Sequence, residues 1–436
     1  MKKITQISRK MQEIFQVQAN KLAREHGFSQ REREITGSSF VVGLVSAWQA
    51  DASVSLAGLS QAVGNAGTPI SRQGLAKRFT PEAVKLMHAM LQECLEFVVS
   101  KTGVQSGLVS RFSAVEVTDS SIVTLPNSLQ EVWKGSGGYG ANASRAQMKI
   151  SVRWNLSTGN ISMLDLTHGI QHDRNTQAHS APVVEGSLQI KDLGYFKLAD
   201  FEKIGQQGAY WLSRYKVNTN ILSPDRVVLD LEKFLPHQVG KRVDIPVLVG
   251  KSKKLSARLV AERVPDEVFQ QRQERLQETA RRKRQTVTEK SLALAHWTIY
   301  LTNAPETLLS TQQVFIMAQY RWQIELLFKQ WKSDLGLDKW CTNNPNRILC
   351  ELYAKLIAGI LTQWFLVLAK WHDPQRSLRQ AMPTIRGLAW QWANSLSFLS
   401  HLKHTLNALI LALTRCRMDR SRSKPRAFQK LEAWNA

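Results

Sequence analysis

The chain has 436 residues, and its 58 Lys and Arg against 35 Asp and Glu leave a formal net charge of +23. That balance favours a polyanionic partner, nucleic acid first, through phosphate neutralisation and counterion release. It speaks against a membrane protein, because basic residues are spread over the whole chain and no run of 18 uninterrupted apolar residues occurs.

The length admits two or three domains with a sizeable core. The nearest approach to a membrane span, LIAGILTQWFLVLA at 356–369, contains Gln363 and reads as a buried helix. The N-terminal MKKITQISRK has no following apolar segment of the kind a secretory signal needs. Cys94, Cys341, Cys350 and Cys416 form no Cys-x-x-Cys pair, so reduced thiols and a cytoplasmic location are expected.

Residues 1–105 read as helical from the apolar periodicity of QEIFQVQANKLAREHGF and PEAVKLMHAMLQECLEFVV. Between these, 53–80 has the outline of a helix-turn-helix. A first helix is followed by a Gly- and Pro-rich break, then by Ser71 as N-cap of a helix bearing Arg72, Lys77 and Arg78. DNA contact there and a simple bundle with a polar loop both fit.

From about Phe112 the texture changes to strands. AVEVTDSSIVTLP, MKISVRWNLSTG and NISMLDLTHG carry β-branched residues bounded by Gly, Asn and Pro, which suggests an antiparallel meander. LQIKDLGYF, an amphipathic helix and AYWLSRYKV continue the sheet in α/β fashion. Residues 218–262 read as short strands (DRVVLDL, VDIPVLVG, SARLVAERV), followed by one long basic helix over 266–295. This block interrupts the sheet like an insertion, since HWTIYLTN at 296–303 reads as one more core strand. It leads to YRWQIELLFKQWK at 320–332, and the remainder is helical with a basic tail.

Three carboxylates stand out. Asp119 follows the strand AVEV, Asp192 follows LQIK, and Glu325 lies on the 320–332 helix between Arg321 and Lys332. At about 100° per residue, Met317, Tyr320, Ile324, Leu327 and Trp331 form an apolar stripe there, with Arg321, Glu325 and Lys332 beside it. Taken singly, Asp119 reads as a turn former, Asp192 as a loop residue and Glu325 as an ion-pair partner of Arg321. Taken together, carboxylates converging from separate elements supply the hard oxygen ligands that Mg²⁺ needs for attack on a phosphodiester.

The order of elements, with VTDSS, KDLGYF and RWQIELLFKQWK, resembles the DDE transposases of bacterial insertion sequences, specifically the insertion-sequence-four family with its Tyr-Arg-Glu-Lys signature. Arg321, four before Glu325, and Lys332, seven after it, hold the family spacing. The resemblance covers about 112–340. It implies an α/β, ribonuclease-H-like (retroviral-integrase-like) catalytic core at 106–217 and 293–370. The core would be split by a β-rich insertion with a basic helix at 218–292 and flanked by helical regions at 1–105 and 371–436.

It further implies Asp119, Asp192 and Glu325 as the triad binding Mg²⁺, with Mn²⁺ as a substitute. Arg321, Lys332 and Lys329 would serve as DNA contacts, and Trp322 follows the signature Arg as in relatives. Trp297 occupies the place of a Trp that stacks on a flipped base, and Arg214 and Lys216 match basic residues that touch DNA. The partners implied are double-stranded DNA, at terminal inverted repeats and target, and a second copy of the chain in a paired-end complex. The signature Tyr is replaced by Ala318. Tyr320 falls roughly 140° from Glu325 on the wheel and reads as core.

Other patterns are weaker. GSGGYG at 135–140 lacks the Lys-Ser/Thr of a P-loop. His168, His172 and Asp173 mimic a metal cluster without the helix that an i,i+4 His pair requires. RRKR at 281–284 reads as a solvated helix face or a DNA backbone contact. Two alternatives to a cut-and-paste transposase stay open: a non-catalytic DNA-binding relic acting as a repressor, and a stand-alone structure-specific nuclease.

Overall fold

A computed structural model of the chain describes residues 2–30, 35–99, 107–137, 145–238, 241–252, 254–370 and 377–417. Residues 138–140 of the glycine-rich loop and 418–436 of the basic tail lie outside the described residues.

The chain opens with α1 (Lys2–Gln12), which runs through a π-helical turn (Glu13–Gln18) into α2 (Ala19–Glu25). A polar side chain starts each of the next four helices by accepting a backbone N–H. Thr36 does so for α3 (Gly37–Ala50), Ser55 for α4 (Leu56–Asn65), Ser71 for α5 (Arg72–Arg78) and Thr80 for α6 (Pro81–Glu96). Segment 53–80 is therefore a helix, turn and helix with Ser71 as the cap. α3 and α4 touch at Gly43, where a Cβ would stand 2.7 Å from the Val63 backbone.

β1 (Val115–Leu125), β2 (Ala146–Asn155) and β3 (Ile161–His168) form the expected antiparallel meander. A crossover holding α7 (Gln177–Ser180) leads to β4 (Leu188–Lys191), and α8 (Leu198–Gln206) leads to β5 (Tyr210–Arg214). β4 runs parallel to both β1 and β5. Next come β6 (Ile221–Leu222), α9 (Leu231–Phe234), β7 (Arg242–Val249), β8 (Leu255–Arg263), α10 (Asp266–Lys283) and α11 (Glu289–Ala295). β9 (Trp297–Thr302), α12 (Thr311–Tyr320) and α13 (Trp322–Asp334) complete the central part. One mixed nine-stranded sheet results, in the order β3-β2-β1-β4-β5-β9-β8-β7-β6.

The structure departs from the sequence reading in four places. DRVVLDL is not a strand: Arg226 adopts φ +66° and only Val228 makes an isolated bridge, to Leu222. The long basic helix is two helices, because Arg284 closes α10 in the left-handed region and Thr288 caps α11. The 218–262 strands extend the sheet, β8 pairing with β9 along its length, and do not interrupt it. The helix carrying Glu325 is also two segments. At Arg321 the bonds Arg321 N–H to Ala318 O and Ile324 N–H to Arg321 O tighten the backbone to three-residue spacing.

α14 (Pro345–Leu368), α15 (Leu378–Ser395) and α16 (Leu399–Arg415) close the fold. α14 packs on α3 and α6, and α15 on α3, so helices from the N-terminal and C-terminal regions share one core. Among the described residues α14 is the one helix long and apolar enough to cross a membrane, and 89% of its apolar window is buried inside the molecule. It also seats α13: a Cβ on Gly359 would lie 2.8 Å from Trp331 Nε1, so glycine lets the two helices meet. A second core lies among β5, β7, β8 and β9 with α8, α9 and α11.

Candidate active site

β1 and β4 pair in parallel from Val115 with Leu188 to Thr118 with Lys191. Lys191 and Thr118 are buried and hydrogen-bonded, Lys191 Nζ donating to Thr118 Oγ1 at 2.9 Å. Side chains alternate along a strand, so the next residue of each, Asp119 and Asp192, emerges on the opposite face beside the other. Glu325 reaches the same place from the first turn of α13.

The three carboxylates converge on one guanidinium. Arg321 Nη1 lies 3.9 Å from Asp119 Oδ2, Nε 3.7 Å from Asp192 Oδ1, and Nη2 2.5 Å from Glu325 Oε1. Asp119 Oδ1 also accepts the Ser120 N–H at 2.8 Å. Burial pushes the Asp119 carboxyl up to about 6. The Ser120 N–H and Arg321 oppose that rise, and Asp192 and Glu325 add to it. Burial works against the charge of Arg321, but Asp192, Glu325 and Asp119 outweigh it and raise its pKa.

The donors are all carboxylate oxygens already gathered about a cation, which is the chemistry that suits Mg²⁺. They ring the guanidinium more loosely than one ion would gather them. Among the described residues no three His, Cys, Asp or Glu side chains form a group tight enough to hold a metal.

Asp192 and Arg321 open into a cavity of about 1010 Å³, whose wall also includes Arg214, Trp322, Lys329 and Ala318. Trp322 is 55% exposed there. Lys332 stands beside β1 and donates to Ile122 O at 3.0 Å. Lys216 is exposed but is not part of the wall. Tyr320 is buried at the end of α12.

Trp297 is a correction. It is 6% exposed within the second core, and its carbonyl accepts from Arg272 of α10. Its ring packs the sheet and presents no free face to a base. The sequence shows only a Trp at a strand start, whereas burial depends on how the 218–295 block folds over it.

Sequence reasoning missed several neighbours. Tyr300 of β9 and Arg379 and Met382 of α15 complete the cavity wall, and nothing in their local sequence signals that. Asp173, set aside with the His168–His172 pattern, accepts from Ser120 Oγ at 2.7 Å and pairs with Lys149 at 2.7 Å. It therefore stands directly behind the residue that bonds Asp119. His168 Nδ1 faces the Lys134 N–H, away from this cluster.

Residues 112–361 match the family described as Transposase DDE domain. The transposase for insertion sequence element IS231B of Bacillus thuringiensis subsp. berliner is 31% identical over 358 residues, covering 77% of this chain and 74% of its own length. The transposase for IS1151 of Clostridium perfringens is 27% identical over 397 residues, covering 85% and 82%. Among solved structures, the piggyBac transposase synaptic complex with hairpin DNA covers 92% of this chain and 82% of its own at 11% identity. Its TM-score of 0.44 is too low to assign a fold. The matched domain takes in all three convergent carboxylates, and with these relatives it places the chain in the family of DDE transposases of bacterial insertion sequences.

Proposed function

We propose that this DNA transposase works by cut and paste, binding the terminal inverted repeats of its element, cleaving each end and joining the freed 3′-hydroxyl to target DNA. The observation that carries the proposal is the convergence of Asp119, Asp192 and Glu325, from two strands and a helix, on Arg321, which with Asp192 lines a cavity walled also by Arg214, Lys329 and Trp322. A meander followed by two parallel strands, in the order β3-β2-β1-β4-β5, supports a ribonuclease-H-like core, with the 218–292 block inserted before the last acid.

In this reading Asp119, Asp192 and Glu325 hold Mg²⁺, or Mn²⁺ in its place. When bound, the ion supplies Lewis acidity and activates a water or 3′-hydroxyl for in-line attack. Arg214, Lys216, Lys329 and Lys332 neutralise the backbone phosphates that approach the acids. Trp322 offers an open aromatic face to a base at the cut end. The helix-turn-helix of the 1–105 region contacts DNA further out. A second copy of the chain holds the other transposon end through the 371–436 region, and a hairpin on the transposon end is the intermediate. The work takes place in the bacterial cytoplasm.

The test uses DNA carrying the repeats that flank the gene. Asp119→Ala, Asp192→Ala and Glu325→Ala are each expected to lower Mg²⁺-dependent cleavage to background while end binding persists. A single variant that still cuts at the normal rate removes that residue from the role. Binding without cutting by the unmodified chain would mark a repressor. Cutting of flaps regardless of sequence, without strand transfer, would mark a nuclease.

A further inference from the structure

Arg321 already stands where three carboxylates meet. Its Nη1, Nε and Nη2 face Asp119, Asp192 and Glu325 respectively, at 3.9, 3.7 and 2.5 Å. We propose that Arg321 is a resident counter-cation that competes with the divalent metal for these carboxylates, so that metal loading requires the guanidinium to leave. The inference rests on the metal-binding reading of the three acids.

A guanidinium has donors only and stays charged at all working pH values. It therefore cannot share the oxygens with a cation bound at about 2.0–2.1 Å, the distance Mg²⁺ demands, without direct repulsion. The three acids and Arg321 leave two negative charges when all are ionised, and the guanidinium is the positive group that touches all three. Lys332, also nearby, is engaged with Ile122 O.

The guanidinium has somewhere to go. Arg321 lines the cavity, and beside it the wall carries the small side chain of Ala318, the residue that replaces the signature Tyr. A phosphate of bound DNA is the partner that would draw it there, since planar two-point contact with phosphate is what arginine makes best. The residue that grips phosphate would thus be the one that guards the acids until phosphate arrives.

The experiment measures Mn²⁺ affinity of the full chain without DNA, from the electron paramagnetic resonance signal of free Mn²⁺. Arg321→Gln is expected to bind Mn²⁺ at least tenfold more tightly than the unmodified chain. Arg379→Gln removes the same charge from the cavity wall without touching the acids, and is expected within about twofold of unmodified. Should Arg321→Gln fail to fold, Arg321→Lys, which gives up the three-way contact, is expected to gain at least threefold. Equal or weaker binding by the Arg321 variants overturns the competition while leaving the metal site standing, provided Asp119→Asn abolishes the binding. If no chain binds Mn²⁺ in an Asp119-dependent way, the metal-binding reading fails and this inference falls with it.

Discussion

Thr118 and Lys191 face each other across the parallel strands β1 and β4, joined by a 2.9 Å hydrogen bond from Lys191 Nζ, and the residue after each is an acid of the candidate triad. The bond ties the two strands together on the face opposite the site. Lys191→Met keeps the bulk but leaves the buried Thr118 hydroxyl unpaired, at a cost of about 1–3 kcal/mol. The variant is expected to show that loss in urea unfolding, together with a lower cleavage rate and unchanged DNA affinity. Unchanged cleavage would mean the strands need no such tie.

Two tryptophans separate packing from recognition. Trp322 is exposed in the cavity, so Trp322→Ala is expected to change stability by no more than about 0.5 kcal/mol. It should weaken binding of end DNA by about 1–3 kcal/mol, the range of one lost base stack. Trp297 is buried in the second core, so Trp297→Ala is expected to cost about 3–5 kcal/mol of stability. Thermal unfolding and fluorescence anisotropy on a labelled duplex check both. The reverse pattern would return the stacking role to Trp297.

Asp173 holds Lys149, buried on β2, and Ser120, whose N–H bonds Asp119. Asp173→Ala leaves the Lys149 ammonium with only the Gln171 carbonyl as partner, and because Asp173 is part-buried the cost is expected to fall below the roughly 3–5 kcal/mol of a fully buried pair that loses one member. Adding Lys149→Met in the same chain is expected to restore most of that stability but not cleavage, because Ser120 stays unanchored. Recovery of cleavage in the double variant would confine Asp173 to a packing role.

Lys355 of α14 provides a pH signature. Its Nζ donates to Gly336 O and Lys339 O at 2.9 and 2.8 Å, between the rings of Trp48 and Trp340. Burial lowers its pKa from 10.5 to about 8, opposed by Glu351. The folded pKa lies below the unfolded one, so this contribution is fully present above 10.5 and is lost as pH falls through 8. Between pH 8 and 10.5 the unmodified chain is expected to gain about 3 kcal/mol relative to Lys355→Met. Urea unfolding of both chains at stepped pH measures it, and a gap that stays constant would show that Lys355 titrates alike in both states.

The sequence by itself determined the parts set by local periodicity and caps. Alternating β-branched runs marked β1 to β3, Ser71 marked the start of α5, and Asp119, Asp192 and Glu325 stood out as acids beside apolar runs in a chain otherwise rich in cations, although Asp119 lies inside β1 and not at its end. Tertiary structure decided the rest. The positive φ of Arg284, which ends α10, carries no periodic signal, and the burial of Trp297 depends on the second core, to which β5, β7 and β8 contribute from elsewhere in the chain. Arg379 joins Arg321 at the cavity although the whole of α14 separates them in the chain, because α14 carries the backbone away and α15 brings it back. Local propensity acts over a few residues, whereas the meeting of three acids around one guanidinium requires β1, β4 and α13 to pack at once, and burial of the core these three elements share supplies the free energy for that.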